Sequence, residues 1–322
     1  MPLPLTLTVT LTVTLTLTRD EEMTPVSKLV QVEGPVWMVL GEGHGRFPRS
    51  HSVLIRDRET VLIDTGPGVA VLKELRETVR VDRVLNTHAH PDHAAGNFLF
   101  ADREVLVPAP AFDTAGDLVK LSERFFVEPE VRGPWREFVR REMGFQDQRP
   151  TGAFSDGDEL SVGDTRLVVV HTPGHSVDHC CFWLPDLELL VGADIDLTAW
   201  GPWYGHVESD LGELRSSVER VKALRPRVLV SSHRPPVRRD VLASLDTWAA
   251  VLGQREARLL GFLATERTWN EIVEAALVYG RFPYVPDVMR SWEGQMIGKH
   301  LAEVLDRGAV TRTERGFVAR TG

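Results

Sequence analysis

Short apolar runs begin at Leu29 and alternate with amphipathic stretches, and their lengths and periods separate strands from helices. Residues 36–40, 52–55, 61–63, 81–85 and 105–107 are brief apolar runs bounded by Gly, Pro or charged positions, which predicts strands. Between them, 69–79 and 94–100 predict helices, the first entered through the tight turn Asp64-Thr65-Gly66-Pro67-Gly68. Residues 111–148 change texture, with Leu118, Leu121, Phe125, Phe126, Trp135, Phe138 and Val139 recurring among many charges. That pattern predicts a helical insertion over the core, either covering a site or forming an ordinary exposed pair. Strand signals return at 159–162, 167–171, 180–184, 189–191 and 228–230, with a helix over 210–224. Strands interleaved with helices predict an α/β fold in which two sheets are covered by helices, a four-layer sandwich.

After Pro235-Pro236 the strand signals fade. Helical patterns run through 241–252, 256–263, 269–278 and 291–305, and a turn at Arg307-Gly308 leads to short segments at 309–312 and 316–318. Helices closing on a hairpin outline a winged helix, and basic and acidic residues nearly balance there. At the other end, residues 3–18 alternate Leu or Val with Thr, without the basic start and continuous apolar centre of a signal peptide. Three parts follow: a low-complexity tail (1–24), an α/β domain (25–238) and a small winged-helix-like domain (239–322). Residues 1–22 read as a dispensable tail or a misassigned start, a reading that a chain begun at Met23 and unable to fold would refute.

Composition narrows the class. Hydrophobic content of 43% and charged content of 26% are ordinary for a soluble globular protein, and a net charge of -9 stands against a generic nucleic-acid surface. Cys180 and Cys181 are adjacent and lie in an apolar run, so they predict two buried small hydrophobes and a reducing, cytoplasmic setting. No run of ~18 purely apolar residues occurs, so no membrane span is predicted.

The chemistry concentrates in Asn86-Thr87-His88-Ala89-His90-Pro91-Asp92-His93, where three histidines and one aspartate fall within six residues after a predicted strand. Alternate residues of an extended segment share a face, so His88 and His90 can grip one metal ion. Pro91 suits the first position of a helix and puts Asp92 and His93 on its opening turn, directed toward a second metal. A single His would read as a packed residue; three with an Asp at this spacing read as ligands. Four residues cannot hold and balance two divalent ions, and the chain supplies more. His175 ends His171-Thr172-Pro173-Gly174-His175, where Gly174 lets the backbone turn; Asp194 and His233 each follow a predicted strand. All sit at C-terminal strand ends, where α/β folds gather their sites.

With these residues in this order, the chain resembles hydrolases of the metallo-β-lactamase fold superfamily over roughly residues 29–235, through its HxHxDH motif, TPGH turn, late Asp and last His. The resemblance implies an αββα sandwich. It implies that His88, His90 and His175 bind one metal, that Asp92, His93 and His233 bind a second, and that Asp194 bridges both. Asp64 matches an aspartate that orients the histidine loop. Two divalent ions are implied, zinc foremost, with iron or manganese as alternatives. Asp194 stands where β-lactamases carry Cys, which points away from antibiotic hydrolysis. Ser232 and Arg234 flank His233 where many relatives have Gly, so substrate contacts there depart from the pattern.

Two divalent cations leave a positive centre that polarises a carbonyl or phosphoryl oxygen and makes hydroxide available near neutral pH. The leading expectation is therefore a dinuclear hydrolase in which a metal-bound hydroxide attacks a small carbonyl substrate: a thioester, lactone or ester. Asp92 belongs to the catalytic centre, and Tyr204 is a candidate to hydrogen-bond substrate or oxyanion, with packing as its other role. The alternative is a metal-dependent endoribonuclease whose winged helix contacts RNA, against which the near-neutral tail counts. Packing on the core or forming a homodimer is the blander role of that module. A binding protein that kept the fold and lost the reaction is a third reading, opposed by the intact ligand set. Among the remaining histidines, His171 and His300 read as structural, His179 as packed or supporting the ligands, and His44 and His51 as rim.

Overall fold

The predicted strands form, and their alternate residues serve two different cores. The structure, a computed structural model, describes residues 28–320, so the tail expected over 1–24 lies outside the described residues. The first half comprises β1 (Leu29–Glu33), β2 (Val36–Val39), β3 (Ser52–Arg56), β4 (Thr60–Ile63), α1 (Val69–Thr78), β5 (Arg83–Leu85), α2 (Pro91–Ala94), β6 (Glu104–Pro108), α3 (Leu118–Phe125), α4 (Pro129–Phe138) and β7 (Gly152–Phe154). Its seven strands make one sheet in sequence order, antiparallel up to β4 and parallel from β4 onward. The second half adds β8 (Glu159–Val162), β9 (Thr165–His171), β10 (Cys180–Leu184), β11 (Leu189–Ala193), α5 (Leu211–Ala223) and β12 (Val228–Ser231), in a five-stranded sheet ordered β12-β11-β10-β9-β8.

Period-two alternation explains the layers. Val53, Ile55, Val61 and Ile63 meet Phe182, Val191, Val228 and Val230 between the sheets. Leu54, Leu62 and Val84 point the other way, onto Val71, Leu72 and Leu75 of α1. In the second sheet Leu190 and Leu229 face outward onto Leu214, Val218 and Val221 of α5. Cys180 faces the inter-sheet core and Cys181 the outer cluster, and both are buried and free, as their apolar run predicts. The result is the four-layer αββα arrangement.

Two differences from the sequence pattern stand out. The helix expected over 94–100 is interrupted: α2 is one turn long and a 3-10 turn follows at Asn97–Phe100. The helical patterns at 241–252 and 256–263 join into one helix of 22 residues, α6 (Val241–Phe262), because nothing crowds Gly253 and no proline breaks the ladder. Then come α7 (Trp269–Glu274), started by a Thr268–Glu271 capping box, α8 (Pro286–Asp306), and the hairpin β13 (Val310–Arg312) and β14 (Phe317–Ala319). Leu245, Trp248, Leu252 and Leu259 of α6 and Met296, Ile297 and Leu301 of α8 share one hydrophobic cluster with α5 and the insertion helices. No helix among the described residues is long and apolar enough to cross a membrane.

Candidate metal centre

Five strand ends on one edge of the sandwich supply the polar residues: Asp64 after β4, His88 to His93 after β5, His175 after β9, Asp194 after β11 and His233 after β12. The His175 turn depends on Gly174, at φ +119°, because a Cβ there would run into the Leu214 backbone. The structure brings His88, His90, His175 and Asp194 into one cluster and Asp92, His93 and His233 into another, the donor atoms of each lying within 4.8 Å of one another. Asp194 faces both. Its Oδ2 is 3.2 Å from His175 Nε2 and 4.0 Å from His88 Nε2, while its Oδ1 is 3.0 Å from His93 Nε2 and 3.3 Å from His233 Nε2. Asp92 Oδ2 completes the second cluster, 3.8 Å from His93 Nε2 and 3.7 Å from His233 Nε2.

The opposite ring nitrogens are tied down, which decides which nitrogen is offered. His93 Nδ1 donates to Asp64 Oδ2 at 2.8 Å, His175 Nδ1 to the Trp203 carbonyl at 2.9 Å, and His233 Nδ1 to the Gly45 carbonyl at 2.7 Å. Each turns its Nε2 inward. His90 is turned the other way, its Nδ1 lying 2.9 Å from His175 Nε2. Two imidazole nitrogens this close need a proton or a cation between them. His93 Nε2 and Asp194 Oδ1 are likewise buried and make no hydrogen bond. Inward ring nitrogens, orphaned buried donors and a shared carboxylate fit divalent cations.

Electrostatics agree. Burial, and then the neighbouring histidines, hold the His88 and His90 pKa values well below the imidazole range, so both rings stay neutral and able to ligate. Burial works against the Asp194 carboxylate, but His93, His233 and His175 outweigh it and keep it ionised. Burial opposes a charge on His93 and His233 as well, but Asp194 and the neighbouring carboxylates hold His93 well above the imidazole range and raise His233 to about 9, so both rings carry a proton that a bound cation would displace.

Asp64, at φ +63° in the tight turn the sequence predicts, also accepts the Thr87 N–H at 2.7 Å and the Thr87 hydroxyl at 2.8 Å, and so fixes the histidine loop. His179 accepts the Asp194 N–H at its Nε2, 3.2 Å away, which makes it a support for that carboxylate. His171 is held locally, at 2.8 Å from the Val177 carbonyl. Tyr204 is not brought to the cluster: its hydroxyl lies 2.7 Å from His300 Nε2 in α8, fully buried in the core. A further grouping of Glu256, His300 and Glu303 is closed by arginines, since Arg215 grips Glu303 and Arg307 grips Glu256, each through two hydrogen bonds.

Several supporting residues were missed in the sequence. Arg124 and Asp178 brace the histidine loop, Trp203 orients His175, and the buried Arg255 holds the segment that carries Trp203. Only Arg255 had a readable cue, standing where the apolar stripe Leu245, Trp248, Leu252 and Leu259 of α6 calls for another hydrophobe.

The insertion covers the site. The Phe125 ring of α3 packs on His90 at 4.8 Å and on His206 at 4.5 Å.

Comparison with known proteins places the chain. The family profile of the metallo-beta-lactamase superfamily matches residues 45–233, more than half of the sequence. The chain is 30% identical over 199 residues to the acyl-coenzyme A thioesterase MBLAC2 of Homo sapiens, covering 54% of this chain and 68% of that protein. It is 28% identical over 248 residues to an atrochrysone carboxyl ACP thioesterase of Aspergillus fumigatus, covering 70% and 66% respectively. A metallo-beta-lactamase family protein of Thermus thermophilus shares the fold with a TM-score of 0.65 at 24% identity, over 84% of this chain and 94% of that one. A beta-lactamase domain protein from Burkholderia ambifaria does so with a TM-score of 0.67 at 16% identity, over 94% and 96%. With its His and Asp donors in that order on that fold, the protein belongs to the metallo-β-lactamase superfamily and is a hydrolase of it.

Proposed function

We propose that the protein hydrolyses a small-molecule thioester at a centre of two divalent cations, zinc foremost. One cation is assigned to His88, His90 and His175, the other to Asp92, His93 and His233, with Asp194 shared. The observation that carries this reading is the division of Asp194, whose two oxygens face different histidine pairs. Bound there, the cations would lower the pKa of water and polarise the substrate carbonyl. The chain does the rest. Asp64, the Gly45 carbonyl and the Trp203 carbonyl hold the ring orientations, and Asp92, whose side chain keeps 10% exposure, would orient the attacking water. The thioester is favoured over a lactone or ester because both relatives above are named as thioesterases. The nuclease alternative gains no support from Arg267, Arg290 and Arg307 of the C-terminal region, which are paired with carboxylates: Arg290 with Glu274 and Asp287, Arg307 with Glu256, and Arg267 with Glu271. A phosphate track needs such cations free.

The test combines metal analysis with a chromogenic panel of thioesters, esters and lactones. Two metals per chain, thioester turnover abolished by chelation, and loss of both in Asp194→Ala support the proposal. Clearly less than one metal per chain in protein purified without chelator would sink it. RNA cleavage alongside a silent panel would hand the site to the nuclease reading.

A further inference from the structure

The centre opens in one direction. Side-chain exposure is 10% at Asp92, 11% at Asp194 and 14% at His233, and zero at His88 and His93. An arc of contacts joins the two clusters beside it. On one side His233 is tied to the Gly45 carbonyl, and two residues further on Phe47 leaves that loop, 37% exposed. Phe47 stacks on Phe138 of α4 at 6.0 Å and meets the edge of Trp292 of α8 at 6.2 Å. Trp292 in turn meets Trp203 edge-on at 5.7 Å, and Trp203, half-buried, packs against both His90 and His175 at 5.4 Å. An unbroken aromatic ladder thus runs from two of the metal-facing histidines to a solvent-exposed phenylalanine, built from the N-terminal loop, the insertion and the C-terminal helix.

We infer that the open rungs of this ladder, Trp203 and Phe47, form the acyl-binding wall of the enzyme, backed by the buried Trp292 and Phe138, and that Phe47 selects thioesters with a long apolar acyl chain over short ones. The inference rests on the thioesterase reading and deepens it. The chemistry follows from geometry: an acyl chain whose carbonyl lies at the metals would face Trp203, and the two rungs that keep exposed surface, Trp203 and Phe47, offer apolar faces without a charge while the buried Trp292 joins them. A decanoyl chain reaches toward Phe47, whereas an acetyl group ends beside Trp203. Burial against aromatic rings stabilises a methylene chain in proportion to the apolar area covered. It also accounts for an exposed phenylalanine at this place, since chain covering its open face removes that surface from water.

The experiment has two readouts on the full-length protein. In the first, kcat/KM is measured for decanoyl and acetyl thioesters of one leaving group, in wild type and in Phe47→Ala. The decanoyl-to-acetyl ratio is expected to fall about tenfold in the variant, the loss of most of one aromatic contact. Phe47→Leu, which restores apolar surface, should recover part of it. In the second, decanoate and acetate are titrated calorimetrically into metal-stripped protein, where decanoate alone should bind measurably and Phe47→Ala should weaken it. A ratio and a decanoate affinity both unmoved by Phe47→Ala would overturn the inference. Silence of the metal-loaded wild type toward both thioesters would instead overturn the thioesterase reading, and decanoate binding would still report on the wall.

Discussion

Arg124 Nη2 lies 2.7 Å from Asp178 Oδ1, and the other oxygen of Asp178 accepts the backbone N–H of Ala89 at 2.8 Å. Asp178 is fully buried and Arg124 retains 12% side-chain exposure. A cation from the insertion therefore neutralises the carboxylate that holds the peptide between His88 and His90. Burial alone would push the Asp178 carboxyl up, but Arg124 outweighs it and holds it below the ordinary carboxylate range. Removing one partner of such a pair strands a buried charge, so Arg124→Ala is expected to lose about 3–5 kcal/mol of stability. Metal affinity should fall with it. Urea unfolding and chelator competition check both, and a variant as stable as wild type would refute the bracing role.

Asp64 is predicted to act on metal affinity rather than on folding. Its φ of +63° suits Asn almost as well as Asp, so Asp64→Asn keeps the turn. The substitution removes the negative charge that pairs with His93 Nδ1 and puts an amide N–H against the Thr87 or His93 donors. Loss of such an outer partner typically weakens metal binding by about 10–100-fold. Competition with a calibrated chelator, alongside an unchanged far-UV spectrum, is the check.

The seven residues of the two clusters could be read from the sequence because each follows soon after a short apolar strand, Asp92 and His93 on the helical turn just beyond it, and such chemistry is set by local pattern. What joins them to the rest of the molecule could not. Tyr204, ten residues after Asp194, read as a candidate substrate contact or a packing residue; it packs, and its partner is His300, 96 residues downstream, a separation with no local signature. Arg124 and Asp178 stand 54 residues apart for the same reason. Helix joining at Gly253 was likewise decided by packing against α8 rather than by the propensity of the glycine.

Lys299 gives a pH prediction away from the ligands. Its ammonium donates to the His206 carbonyl at 2.8 Å, and burial lowers its pKa to about 8, with Asp210 opposing. An unfolded lysine titrates near ~10.4, so between these two values the unfolded chain holds a proton that the folded chain has released. Stability contributed through this group therefore rises with pH from about 8 to about 10.4, by at most about 1.4 kcal/mol per pH unit. Below pH ~8 both states are protonated and the contribution is flat. Lys299→Met should remove the rise, which denaturant titrations at several alkaline pH values would show. Identical slopes in both proteins would contradict it.

Arg255 extends the argument to the C-terminal region, whose helix α6 reaches back to the site. It is 1% exposed, and its guanidinium donates to the Pro202 carbonyl and, at 2.7 Å, to the Trp200 carbonyl. The same group lies 4.2 Å above the Trp200 ring and 5.2 Å above that of Tyr204. This clamp fixes the segment whose Trp203 carbonyl receives the His175 Nδ1 proton. Arg255→Met keeps the apolar stem but leaves two carbonyls unpaired, at an expected cost of about 2–5 kcal/mol. Lys offers a point charge in place of the planar fork, so Arg255→Lys should restore one of the two contacts and recover only part of that loss. The defect in turnover should show in kcat as well as in KM, because the released segment displaces both His175 and Trp203. Thermal unfolding together with steady-state kinetics on both variants decides the matter: equal stability, or a defect confined to KM, would show that the clamp does not position His175.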